Sequence, residues 1–101
     1  MTIVVRPAFW RDLERHQYWL LKRVNAEIAD RWFEAMWDTA MFLRAHPESG
    51  RLRRDLKHAG VRSWLVAGFR RWTIFYGLRD NVLVLYRVVG GETDLRRLTL
   101  R

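Results

Sequence analysis

The residues best suited to chemistry in this chain are its arginines. The sequence carries 19 basic and 11 acidic residues, a formal net charge of +8. Only Lys22 and Lys57 are lysines. Two arginines stand out because they interrupt apolar runs: Arg62 in VRSWLV and Arg87 in VLVLYRVV. A guanidinium placed inside a strand must reach solvent, a carboxylate or a functional site, because burying it unpaired is costly. Pairing with an acid and a functional role both fit these two positions. The densest basic cluster is Arg51, Arg53, Arg54, Lys57 and His58, broken by Asp55, and a second lies at Arg96 and Arg97. Such a balance attracts polyanions or an acidic partner through its long-range field, although a run of charge also serves as a plain solvated face.

Other chemistries lack their residues. There is no cysteine, so disulfides and thiolate metal sites are excluded and a reducing compartment is the natural setting. His16, His46 and His58 are not at metal-ligand spacing, and no metal or other cofactor is expected. His16 falls on an apolar helix face and reads as a core or helix-interface residue; His46 reads as a helix C-terminal residue meeting the dipole. Ser49 and Ser63 have no visible base. Gly90-Gly91 reads as a strand terminator, not a phosphate loop.

Six tryptophans could stack on nucleic-acid bases or fill a core. Trp32, Trp64 and Trp72 fall at positions expected to be core. Trp10, Trp19 and Trp37, together with Met41, widen the helical faces beyond what a core needs. If exposed, they form the kind of apolar patch that marks a partner surface.

The elements that must position these groups begin with residues 61–89. Three runs rich in β-branched and aromatic residues are separated by turn signals at Ala67-Gly68 and Arg79-Asp80-Asn81, which predicts a three-stranded antiparallel meander. The last run, Val82 to Val89, is apolar except for Arg87, as expected of a strand covered on both faces. Upstream, Thr2–Arg6 reads as a short strand. Pro7 then suits a first helical turn, and Phe9, Leu13, His16, Leu20 and Val24 mark one face of a helix over Ala8–Arg23. Asp12 and Glu14 near its start suit the dipole. Asn25 is a good N-cap for a second helix, whose stripe is Ala29, Trp32, Phe33, Met36, Ala40 and Leu43 and which ends before Pro47. So short a link makes an antiparallel helical hairpin. Residues 46–60 are polar and turn-rich, and in the tail at 92–101 Leu95, Leu98 and Leu100 could pack as one turn or a final strand.

The length of 101 residues predicts one domain over 1–101. No run approaches the roughly 20 apolar residues of a membrane helix, and the N-terminus has too short an apolar stretch for a signal peptide. A cytoplasmic protein with no membrane association is the expectation.

The order of elements and a set of short motifs resemble the RelE/ParE superfamily of toxins from type II toxin–antitoxin modules, closer to the ParE-like branch. The motifs are Ala8 with Asp12-Leu13, His46-Pro47-Glu48-Ser49-Gly50-Arg51, Gly60-Val61-Arg62, Phe75-Tyr76, Tyr86-Arg87-Val88 and Asp94-Leu95. The resemblance implies an α+β fold: an N-terminal strand and a helical hairpin packed on a three- to four-stranded, mainly antiparallel sheet. It implies a cognate ParD-like antitoxin that wraps the toxin in a hetero-oligomer, with Trp10, Trp19, Trp37 and Met41 as its expected contacts. It also implies a target. ParE-like members poison DNA gyrase by protein contact, with Arg62, Arg87, Arg96 and Arg97 as the expected target-facing set. The alternative is a RelE-like endoribonuclease cutting mRNA in the ribosome through Arg62, Arg71 and Arg87, although here no Tyr or His lies beyond Tyr86 to serve as its acid. On either reading the inner guanidiniums are expected on an open side of the sheet, and Arg62→Ala and Arg87→Ala are expected to reduce toxicity more than folding.

Overall fold

The computed structural model describes residues 1–100; Arg101, the last residue of the basic tail, lies outside them. Strand β1 (Thr2–Val5) leads into helix α1 (Pro7–Arg23) and helix α2 (Ala26–Ala45), followed by strands β2 (Arg51–Leu52), β3 (Arg62–Val66), β4 (Phe69–Arg79) and β5 (Val82–Gly90) and a 3₁₀ turn at Leu95–Arg97. The strands form one sheet in the order β1-β5-β4-β3-β2. It is a five-stranded mixed sheet, larger than the three- to four-stranded sheet expected. The expected meander is β3–β4–β5. The extra strand is β2, two residues of the basic loop that pair antiparallel with β3, and β1 joins parallel to β5.

Local chemistry accounts for the boundaries. Asp80 and Asn81 both adopt positive φ, 50° and 62°, as a two-residue hairpin of the right-handed twist requires. Gly68 supplies the positive φ of the β3–β4 turn. Pro7 opens α1, and the Asn25 side chain accepts from the Ile28 amide at 2.8 Å to cap α2. Only Val24 and Asn25 separate the helices, which therefore fold back on each other across one face of the sheet.

The main core lies between hairpin and sheet. Phe9, Leu13 and Leu20 from α1 and Trp32, Met36, Ala40 and Leu43 from α2 meet Trp72, Ile74, Tyr76, Leu83, Leu85 and Val88. The predicted stripes hold with three exceptions: Val24 is exposed at the end of α1, and His16 and Phe33 are only partly buried. The sheet's other face is not open. Val61, Phe75, Val84, Tyr86, Val89 and Leu100 form a second cluster there, closed over by Leu56 of the basic loop and by Leu95 and Leu98 of the tail. This explains the continuous apolarity of β5, which is interior in the sheet and covered on both faces. The tail leucines pack as one turn, not as a strand.

Candidate functional site

Each sequence-singled arginine has a definite setting. Strand β1 pairs with β5 only as far as Val5 opposite Leu85. Beyond that point helix α1 takes over as the neighbour of β5. Asp12 accepts from the Val88 amide at 3.1 Å, and His16 Nε2 lies 3.0 Å from the Val88 carbonyl. A carbonyl can only accept, so this imidazole nitrogen carries a proton. The acid and the histidine, one helical turn apart, thus satisfy an edge that no strand covers.

Arg87 belongs to the same staple. A bulge in β5 leaves Tyr86 unpaired and sets Arg87 opposite Phe75. The Arg87 guanidinium grips Asp12 through Nε at 2.6 Å and Nη2 at 2.9 Å, and donates through Nη1 to the Thr99 carbonyl at 3.1 Å. Asp12 is 1% exposed. It also accepts from Arg15 at 2.9 Å. Arg87 is therefore not a free cation on an open surface: it ties helix, sheet and tail together. Asp12 lies beyond the first turn of α1, so its role is not that of a dipole residue, and it shares a face with Phe9, Leu13, His16 and Leu20. A carboxylate on an otherwise apolar helical face was the sequence signal for its buried role.

Arg62 is likewise engaged, but with carbonyls and not with a carboxylate. It donates to Gly50 O at 2.8 Å and Glu48 O at 3.3 Å. Tyr76 holds the same loop from beneath, donating to Pro47 O at 2.7 Å and accepting from the Gly50 amide at 2.9 Å. Burial raises the Tyr76 phenol above its ordinary pKa, so it stays protonated and able to donate. A Cβ at Gly50 would run into the Tyr76 ring, 2.7 Å from its Cε1. The motif His46 to Arg51 is therefore a loop pinned by one phenol and one guanidinium.

Arg71 sits elsewhere again. It pairs with Glu92 at 2.9 Å and lies over Trp19. The structure does not bring Arg62, Arg71 and Arg87 together: their guanidiniums bond to the 48–50 loop, to Glu92 and to Asp12 respectively. Of the expected target-facing set, Arg96 and Arg97 are the accessible pair, their side chains 92% and 89% exposed around a shared Asp94. In the basic loop, Arg53 is held by Asp55 and lies over the Phe75 ring. Among the described residues no cluster of His, Asp or Glu could hold a metal ion.

The aromatic residues divide into two groups. Trp10 is exposed and packs on the half-buried Trp37 at 5.6 Å, with exposed Met41 one turn further along α2. Trp19 is separate. It faces Trp72 at 6.4 Å with the guanidiniums of Arg23 and Arg71 over its ring. Trp64 corrects the expectation that it is core: it lies on the helix-facing side of β3, opposite Ile74, but at the rim of the sheet, 36% exposed and stacked on exposed Phe42 of α2 at 5.7 Å. Trp32 and Trp72 are buried as expected.

A helical hairpin on a mixed sheet, with the first strand added parallel to the last, is an α+β fold of the RelE/ParE class. Within that class the chain belongs to the ParE toxin family of type II toxin–antitoxin systems (parDE), whose family model matches residues 3–95. No curated protein matches in sequence. Among solved structures, the chromosomal ParDE toxin–antitoxin system from P. aeruginosa superposes with a TM-score of 0.76 at 15% identity, covering 91% of this chain and 97% of that one. At that identity the likeness speaks for the fold. No helix among the described residues is long and apolar enough to cross a membrane.

Proposed function

We propose that this protein inhibits DNA gyrase by direct protein contact in the cytoplasm and is held inactive by a cognate ParD-like antitoxin. The observation that carries the non-enzymatic reading is the dispersal of Arg62, Arg71 and Arg87 into three separate settings. A ribonuclease needs its cations converged on one phosphate, and two of these three are occupied in holding the fold. The target-facing residues on this reading are Arg96 and Arg97. The antitoxin covers the apolar surface around Trp10, Trp37 and Met41, an exposed patch of the kind an amphipathic segment buries.

The test is a supercoiling assay with purified gyrase, run beside a translation reaction in which ribosome-bound mRNA is mapped for cuts. Loss of supercoiling with intact mRNA is the expected outcome. Arg96→Ala with Arg97→Ala should relieve inhibition while stability changes by no more than about 0.5 kcal/mol, as for exposed sites generally. Specific mRNA cleavage would replace this reading with the endoribonuclease one.

A further inference from the structure

A cleft of about 260 Å³ opens between α1 and the far end of the sheet, lined by Arg15, His16, Trp19, Arg71, Trp72 and Glu92 among others. Its polar groups are of two kinds. Arg15 and Arg71 bring donors: each already makes one bond, to Asp12 and Glu92, and their side chains remain 61% and 56% exposed. Asp12 also serves Arg87, so the neighbourhood keeps an excess of positive charge. His16 and Glu92 bring acceptors. With Nε2 donating to Val88 O, the neutral imidazole presents Nδ1 as a lone pair, and burial, reinforced by Arg15, lowers the His16 pKa and keeps the ring neutral. The cleft floor is the edge of Trp72, which is 7% exposed.

This pattern selects among anionic partners. A nucleic acid stacks its bases on free aromatic faces. Here Trp72 shows little surface, and Trp19 already carries the guanidiniums of Arg23 and Arg71. The ionised phosphodiester of a nucleic acid has no proton to give His16 Nδ1. A peptide has both kinds of group: a backbone N–H for the imidazole and a side-chain carboxylate for the guanidiniums. The volume admits one large apolar side chain beside them.

We propose that this cleft is a docking pocket for an acidic–apolar segment of the neutralising antitoxin, taking one apolar side chain against Trp19 and Trp72 and one carboxylate between Arg15 and Arg71. The assignment rests on the antitoxin-bound reading above and places a second anchor away from the Trp10–Trp37–Met41 patch. Arg15 and Arg71, already braced by Asp12 and by Glu92 and Trp19, are the specificity-determining pair.

The test uses the full chain, labelled with ¹⁵N, and two blocked peptides, acetyl-Glu-Phe-Glu-amide and acetyl-Gln-Phe-Gln-amide. The indole N–H signals of Trp19 and Trp72 should shift saturably with the acidic peptide, which should bind about tenfold tighter than its neutral twin, the worth of one charge-assisted contact. Arg15→Gln combined with Arg71→Gln should abolish that difference while leaving the unliganded spectrum dispersed, and should weaken neutralisation when the variant is co-expressed with the antitoxin. Equal affinity for the two peptides overturns the assignment. So does the absence of a saturable shift up to about 10 mM, or an equal, arginine-dependent response to inorganic phosphate. The titration needs no toxicity. A harmless chain that binds the acidic peptide would sink the toxin reading alone, and a toxic chain whose cleft does not respond would sink the pocket alone.

Discussion

Replacing Asp12 by alanine should unfold much of this protein's margin of stability. The carboxylate is 1% exposed and accepts from Arg87 at two nitrogens, from the Val88 amide and from Arg15. Removing it leaves the Arg87 side chain, only 16% exposed, without its counter-charge, and the Val88 amide without a partner. Breaking one side of a buried ion pair typically destabilises by about 3–5 kcal/mol, and an orphaned buried amide alone accounts for about 1–3 kcal/mol of such a loss. Arg15 softens the effect little, because its side chain is mostly in solvent. Against a total stability of roughly 5–15 kcal/mol, the variant should sit near the folding threshold. At about 4–8 °C per kcal/mol for a domain of this size, the melting temperature should fall by at least about 12 °C. The assay is thermal and urea unfolding of wild type, Asp12→Ala, Arg87→Met and the double variant. Arg87→Met should destabilise strongly too, and the double variant by clearly less than the sum of the two, because the partners are lost together. A change under about 1 kcal/mol for Asp12→Ala would be the signature of an ordinary surface ion pair and would refute the staple. The same reasoning revises the expectation for Arg87→Ala: toxicity and folding should fall together.

Other expectations follow from the same geometry. Tyr76→Phe removes the hydroxyl that holds Pro47 O and Gly50 N; it should destabilise by about 1–3 kcal/mol and speed amide exchange at Gly50, and unchanged exchange would mean that Arg62 alone pins the loop. Trp72→Ala, which empties a site packed by His16, Trp19, Trp32 and Phe69, should destabilise by about 3–5 kcal/mol; a small effect would contradict its place in the core. His16 has a folded-state pKa below its ordinary 6.5, chiefly through burial. Its stabilising contribution should be complete above pH 6.5 and decline as the pH falls from there toward the lowered value, because the unfolded chain takes up the proton first. Urea midpoints between pH 7 and 5 should therefore fall more steeply for wild type than for His16→Gln, and parallel curves would remove His16 as the cause.

Most of the architecture was legible in order along the chain. Runs rich in β-branched and aromatic residues, broken at Gly68 and Asp80-Asn81, give the meander, and Asn25 and Pro7 give the helix starts, because turn and cap chemistry acts over a few neighbouring residues. What the sequence could not show is what meets across the fold. Strand β2 is two residues long and owes its existence to an edge of β3 that already exists. Trp64 has the composition of a core strand residue and faces the helices, yet it sits near the sheet edge, where only Phe42 of α2 stacks on it. Above all, local pattern marked Arg62 and Arg87 as special without deciding whether they face a target or the protein itself. Asp12 is separated from Arg87 by most of the chain, and the Gly50 carbonyl is offered to Arg62 by a loop of no regular pattern. Those partnerships arise only when helix α1 lies along the unpaired end of β5 and the 46–51 loop folds over Tyr76, because a guanidinium's role is set by whatever carboxylate or carbonyl the packing delivers within hydrogen-bonding reach.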